Sequence, residues 1–102
     1  MSSISTHVLD LTAGRPATGV RVTLIDAGGG RVAEGVTNDD GRVPDLADGL
    51  GPGGYRLEFD LAGYFEAPFL TAMTVHFEVT SERHHHVPLL VTPYAASTYL
   101  GS

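Results

Sequence analysis

The sequence predicts an all-β fold, a sandwich of short strands, and three observations carry that expectation. Apolar residues recur with period two, turn-forming residues interrupt them at short intervals, and almost no segment has helical spacing. Val20, Val22 and Leu24 alternate with Arg21 and Thr23; Tyr55, Leu57 and Phe59 alternate with Arg56, Glu58 and Asp60; Val75, Phe77 and Val79 alternate with His76, Glu78 and Thr80. Successive side chains on a strand point to opposite faces, so each run buries one face and wets the other. Turn chemistry separates the runs. Gly28-Gly29-Gly30 ends the first, Asp40-Gly41 follows Val36, and a glycine-rich cluster over 48–54 precedes Tyr55. One short helix is expected at most, over 61–67, with Asp60 as its N-cap and Pro68 as its stop; Gly63 weakens it.

The length of 102 residues suits one domain, residues 1–102, with about 60–70% of its unfolded surface buried and no room for a second core. Hydrophobic residues make up 42% of the chain and charged residues 18%, which excludes a disordered polyelectrolyte. The thirteen glycines and six prolines are scattered, marking neither a repeat nor a linker. Six Lys and Arg against twelve Asp and Glu give a formal charge of -6, which opposes a phosphate backbone and argues against nucleic acid as a partner. The absence of cysteine removes disulfides, thiolate nucleophiles and cysteine zinc sites together. No apolar run approaches the roughly 20 residues that span a bilayer, and residues 1–7 lack the basic and apolar regions of a secretory signal. The expectation is therefore a cytoplasmic protein without a membrane partner.

Chemistry-bearing motifs are few. Gly49-Leu50-Gly51-Pro52-Gly53-Gly54 has the spacing of a dinucleotide fingerprint, but it contains proline and leads into a strand, whereas that fingerprint follows a strand and opens a helix. It reads as a loop. The histidines carry more. His84, His85 and His86 are consecutive, and on a strand His84 and His86 share one face while His85 points to the other. This pattern is open to three readings: a solvated strand end, a pair of proton-transfer groups, or a metal site completed by a third ligand such as His7. Arg42 follows an Asp-Gly turn in Thr37-Asn38-Asp39-Asp40-Gly41-Arg42. Alone it reads as a solvated hairpin residue; beside a histidine it becomes an oxyanion clamp.

Three collinear segments resemble the transthyretin-like 5-hydroxyisourate hydrolases. They are Thr6-His7-Val8-Leu9-Asp10-Leu11-Thr12-Ala13-Gly14-Arg15-Pro16-Ala17, the Thr37 to Arg42 motif, and His86-Val87-Pro88-Leu89-Leu90 running through Pro93-Tyr94 to Ser97-Thr98-Tyr99. The resemblance implies a sandwich of two four-stranded sheets with a short helix, assembled as a homotetramer with its sites in clefts between subunits. It further implies hydrolytic opening of the six-membered ring of 5-hydroxyisourate in purine breakdown, without a metal or organic cofactor. The positions that match the family's catalytic residues are His7, Arg42 and His86, with Tyr99, Leu100 and Ser102 at the substrate. Chemistry assigns His7 and His86 to proton transfer and Arg42 to charge stabilisation.

The chain departs from the family pattern at four places. Leu100 stands where arginine is usual, which removes a cation from the site wall. His85 replaces a tyrosine, Ala95-Ala96 a glycine-aromatic pair, and Phe69-Leu70-Thr71-Ala72 lacks the usual Pro-Glu. Two other functions are therefore weighed beside the hydrolase: a relative acting on a different cyclic substrate, for which Leu100 makes room, and a carrier of a small hydrophobic ligand. Retention of the polar set His7, Arg42 and His86 argues against the carrier.

Overall fold

In the computed structural model, which describes residues 1–101, nine strands are formed. They are β1 (Ser2–Asp10), β2 (Arg15–Pro16), β3 (Arg21–Asp26), β4 (Arg31–Val36), β5 (Arg42–Leu50), β6 (Gly53–Asp60), β7 (Ala72–Val79), β8 (His84–Val91) and β9 (Ala96–Thr98). One sheet has the order β4-β3-β6-β7 and is antiparallel throughout. In the other, β1 lies between β8, followed by β9, and an edge formed by β5 and β2. β5 pairs with residues 2–7 of β1, and the two-residue β2 pairs with Leu9 and Asp10, so β2 prolongs the edge that β5 begins. This sheet counts five strands yet is four strands wide. The expected pair of four-stranded sheets is met with that one addition.

The alternation seen in the sequence becomes the sandwich interior. Val20, Val22 and Leu24 around β3, and Leu57 and Phe59 of β6, are fully buried against Ile4 and Val8 of β1 and Leu89 and Val91 of β8. Each such side chain contributes about 1.5–3 kcal/mol through burial. Every second residue of β1 and β8 fills this core, and the residues between them stand on the outer face of the sheet.

The expected helix over 61–67 is not formed, and no helix occurs among the described residues. Asp60 does cap the segment, its Oδ1 accepting the Gly63 N–H at 3.0 Å. One turn follows, with Phe65 N–H donating to Leu61 C=O at 2.8 Å. It stops there because Ala67 takes a positive φ of 48° immediately before Pro68, a conformation that a right-handed helix cannot continue. Tyr64 from this turn donates to Asp10 Oδ2 at 2.7 Å, and burial followed by the Asp10 hydrogen bond raises its pKa to about 12. The turn thereby fastens the 61–67 segment to the end of β1.

Gly41 is the glycine on which the site most depends. Its φ is +73°, and a Cβ there would stand 2.5 Å from Val8 C=O and 2.9 Å from Pro16 Cβ. Gly41→Ala is expected to destabilise the fold by about 2–3 kcal/mol, combining left-handed strain with a clash against backbone. A lower urea midpoint at unchanged m-value checks this; an unchanged midpoint would contradict it.

Candidate active site

Three strands bring the polar residues together. β1 is central, with β5 on one side and β8 on the other. The antiparallel register sets His7 opposite Arg42, the first residue of β5, and the parallel register sets Ser5 beside His86 and His7 beside Pro88. His7 and His86 are thus diagonal neighbours on the outer face, their ring centroids 6.5 Å apart and their planes inclined at 39°. The period-two reading of the histidine run holds here. His85 is 4% exposed and faces the interior, where its Nδ1 lies 3.2 Å from Arg83 C=O. His84 and His86 lie on the opposite face.

Arg42 is delivered by a closed turn. The Asn38 Oδ1 accepts from the backbone N–H of Asp40 at 2.9 Å and of Arg42 at 3.0 Å. Asn38 N–H donates to Arg42 C=O at 3.0 Å, Gly41 N–H to Asn38 C=O at 2.8 Å, and Val8 N–H to Gly41 C=O at 2.7 Å. Thr37 anchors the approach, donating its hydroxyl to Ala17 C=O at 2.6 Å and accepting Val20 N–H at 2.9 Å. The Asp-Gly signal thus belongs to a wider Asn38 turn locked onto β1, which fixes the backbone of Arg42 beside His7.

The electrostatics favour neutral imidazoles. The pKa of His7 is lowered from 6.5, first by burial and then by the Arg42 charge, with Asp40 working in the opposite direction. That of His86 is lowered by burial, then by Arg42, His7 and His84. At pH 7 each ring is therefore neutral, with one N–H and one lone pair, which equips it to take up a proton as a base and, once charged, to give that proton back as an acid. The guanidinium beside them remains charged.

The end of the chain returns to this face. Gly101 bridges to His86, its N–H donating to His86 C=O at 2.8 Å. A Cβ at Gly101 would meet His86 Cδ2 at 2.6 Å, so only glycine lets the chain lie against the imidazole. Tyr99 and Leu100 are each 60% exposed and line a cleft of about 280 Å³ with Val75, Phe77 and Val87. The cleft lies between β7 and residues 98–100 at one edge of the sandwich, and His7, Arg42 and His86 are not among the residues that line it. Ser102, the last of the expected substrate residues, lies outside the described residues.

Ser5 is a polar residue of this face that the sequence reading missed. It is 7% exposed, and its hydroxyl lies 2.7 Å from both His84 Nε2 and His86 Nδ1. The alternation Ser3-x-Ser5-x-His7 opposite His84-x-His86 was the available signal. Among the described residues no three His, Asp or Glu side chains are grouped to hold a metal ion.

Residues 4–101 match the HIUase/Transthyretin family. The chain belongs to this family. A 5-hydroxyisourate hydrolase of Caulobacter vibrioides is 43% identical over 115 residues, covering all of both chains. Among solved structures of the family's fold, the 5-hydroxyisourate hydrolase of Klebsiella pneumoniae superimposes with a TM-score of 0.92 at 36% identity over all of both chains. Sea bream transthyretin, solved in complex with thyroxine, gives a TM-score of 0.89 at 30% identity, with 97% of this chain and 94% of that one covered. The fold is transthyretin-like.

Proposed function

We propose that this HIUase/Transthyretin family member is a 5-hydroxyisourate hydrolase, adding water across a ring C–N bond of 5-hydroxyisourate to give 2-oxo-4-hydroxy-4-carboxy-5-ureidoimidazoline in purine catabolism. The observation that carries the reading is the grouping of two imidazoles, their ring centroids 6.5 Å apart, with the Arg42 strand position opposite one of them, in a chain matched end to end by a relative of that name. Hydrolysis needs a base to take a proton from the attacking water, a donor for the carbonyl oxygen as it becomes an oxyanion, and an acid to protonate the departing nitrogen. His7 and His86 serve as base and acid, and Arg42 as the oxyanion donor. The ring that takes the proton from water becomes imidazolium, and that proton passes on to the departing nitrogen, directly or through the second ring, which takes it up on one nitrogen and releases one from the other, so both histidines end neutral.

Tyr99, Leu100 and Ser102 contact the substrate in this reading. The enzyme works as a cytoplasmic homotetramer: Leu11, Phe69, Tyr94, Tyr99 and Leu100 are large apolar side chains that stand exposed, and association of copies would cover them. The assay is the decay of freshly made 5-hydroxyisourate with and without the protein. Acceleration supports the proposal, and decay at the uncatalysed rate overturns it.

The apolar cleft at Leu100 favours one second reading, a less polar cyclic substrate. Leu100→Arg separates the two. For the hydrolase, the wild type turns over 5-hydroxyisourate and the variant matches or exceeds it, since a cation is restored near an anionic substrate. For the alternative, the wild type is poor on 5-hydroxyisourate and the variant gains about ten- to a hundredfold, corresponding to one charge-assisted contact of about 1.5–3 kcal/mol.

A further inference from the structure

The outer face of β1 and β8 carries a line of hydrogen bonds that the chemistry above does not require. Ser3 Oγ lies 2.7 Å from His84 Nδ1, His84 Nε2 lies 2.7 Å from Ser5 Oγ, and Ser5 Oγ lies 2.7 Å from His86 Nδ1. The parallel register builds this line, because it places Ser3 beside His84 and Ser5 beside His86. Its inner link is shielded, Ser5 being 7% exposed. Its outer end is open: Ser3 and His84 border a cleft of about 330 Å³ together with Asp45 and Asp48 of β5.

A hydroxyl has one proton to give. Ser5 stands between two imidazole nitrogens, so it donates to one and accepts an N–H from the other, and this couples the tautomers of the two rings. In one arrangement His84 holds its proton on Nδ1, toward Ser3. Its Nε2 then accepts the Ser5 O–H, the Ser5 oxygen accepts the His86 Nδ1–H, and His86 Nε2 is left as a base. In the reversed arrangement His84 Nε2–H donates to Ser5, Ser5 donates to His86 Nδ1, and a neutral His86 carries its proton on Nε2 as an acid. The interconversion balances. A proton gained at His86 Nε2 is matched by transfer of the Nδ1 proton to Ser5, of the Ser5 proton to His84 Nε2, and of the His84 Nδ1 proton through Ser3 to water in the outer cleft.

We infer that Ser5 and His84 form a proton relay that sets and resets the protonation of His86 Nε2, linking it to the cleft at Asp45 and Asp48. Both act through His86 and are positioning residues. Their part in turnover rests on the reading of His86 as a proton-transfer group. Chains of this kind strengthen each bond they contain, and a shielded middle link keeps water from short-circuiting the path.

Two variants of the whole protein test the relay. Ser5→Ala deletes the shared hydroxyl, while His84→Gln, at an exposed position, keeps a hydrogen-bonding group toward Ser5 that passes no proton. Each is expected to lower kcat on 5-hydroxyisourate by about 10- to 100-fold, the range for outer partners that orient functional imidazoles, with KM within about twofold. The second readout needs no substrate. In the wild type the 15N shifts of His86 should lie between those of the two neutral tautomers, and in both variants they should move to a single tautomer. Unmoved His86 shifts overturn the relay whatever happens to the rate, and moved shifts with full kcat overturn it as well. A wild type without turnover whose His86 shifts still respond to position 84 sinks the hydrolase reading and leaves the relay standing.

Discussion

Arg42→Ala is expected to slow the opening of 5-hydroxyisourate by about 10²–10³-fold in kcat, the usual effect of deleting one oxyanion donor and equal to about 2.7–4 kcal/mol. Attack of water on the ring carbonyl moves negative charge onto oxygen, and Arg42, opposite His7 in the strand register and close enough for its charge to act on both imidazoles, supplies a positive charge there. Lysine should recover only part of the loss, because a point charge lacks the planar fork that holds an oxyanion by two parallel N–H groups. The pH profile supplies a second signature. After burial, the Arg42 charge is the next cause lowering the pKa of both His7 and His86 below 6.5. A base works only when unprotonated, so the acid limb of kcat/KM in the wild type falls below the ordinary histidine value. Removing the charge lets both pKa values rise toward 6.5, and the acid limb should move upward with them. Profiles of kcat/KM from pH 5 to 9 measure both effects, and a variant with wild-type kcat would take Arg42 out of the site.

The strands that fill the core from both sides of a clean alternation were legible, because Val20, Val22 and Leu24, or Tyr55, Leu57 and Phe59, announce one buried face directly. β1 and β5 were harder to see. The outer face of β1 holds Ser3, Ser5 and His7, so its apolar positions are too few to stand out, and β5 contains Pro44 and Gly49, residues that a central strand disfavours. β5 tolerates them as an edge strand whose pairing with β1 shifts register twice. The helix expectation over 61–67 failed at Ala67, where left-handed backbone closes the segment after one turn. His7, Arg42 and His86 were legible from spacing and resemblance, and the turn signal at Asp40-Gly41 pointed to Arg42. What the sequence did not disclose is the parallel pairing of β1 with β8, whose partner residues are 81 positions apart along the chain. That pairing alone brings Ser5 between His84 and His86, so the hydroxyl stayed invisible until the topology was known.

His7→Ala and His86→Ala should each lower kcat/KM by about 10²–10⁴-fold, the span for losing a positioned acid or base. The double variant should lose little beyond the worse single one, because an acid without its base completes no turnover, and groups that act as a unit are not additive. His76→Ala supplies the contrast. His76 is exposed on β7 in the other sheet and borders the Leu100 cleft without a part in proton transfer, so the variant's kcat should stay within about twofold of wild type. Stability separates chemistry from folding in these variants. Because the fold lowers both pKa values, the unfolded chain binds more protons than the native one as pH falls through 6.5. The native state therefore carries a penalty that is absent above that pH and complete below the lowered values. Removing both rings removes the penalty. Relative to wild type, the inactive double variant should gain stability as pH falls from 7 to 5, read from urea midpoints at each pH. An inactive variant that is equally destabilised at both pH values would mean that the rings support packing, and the assignment of proton transfer to His7 and His86 would lose its basis.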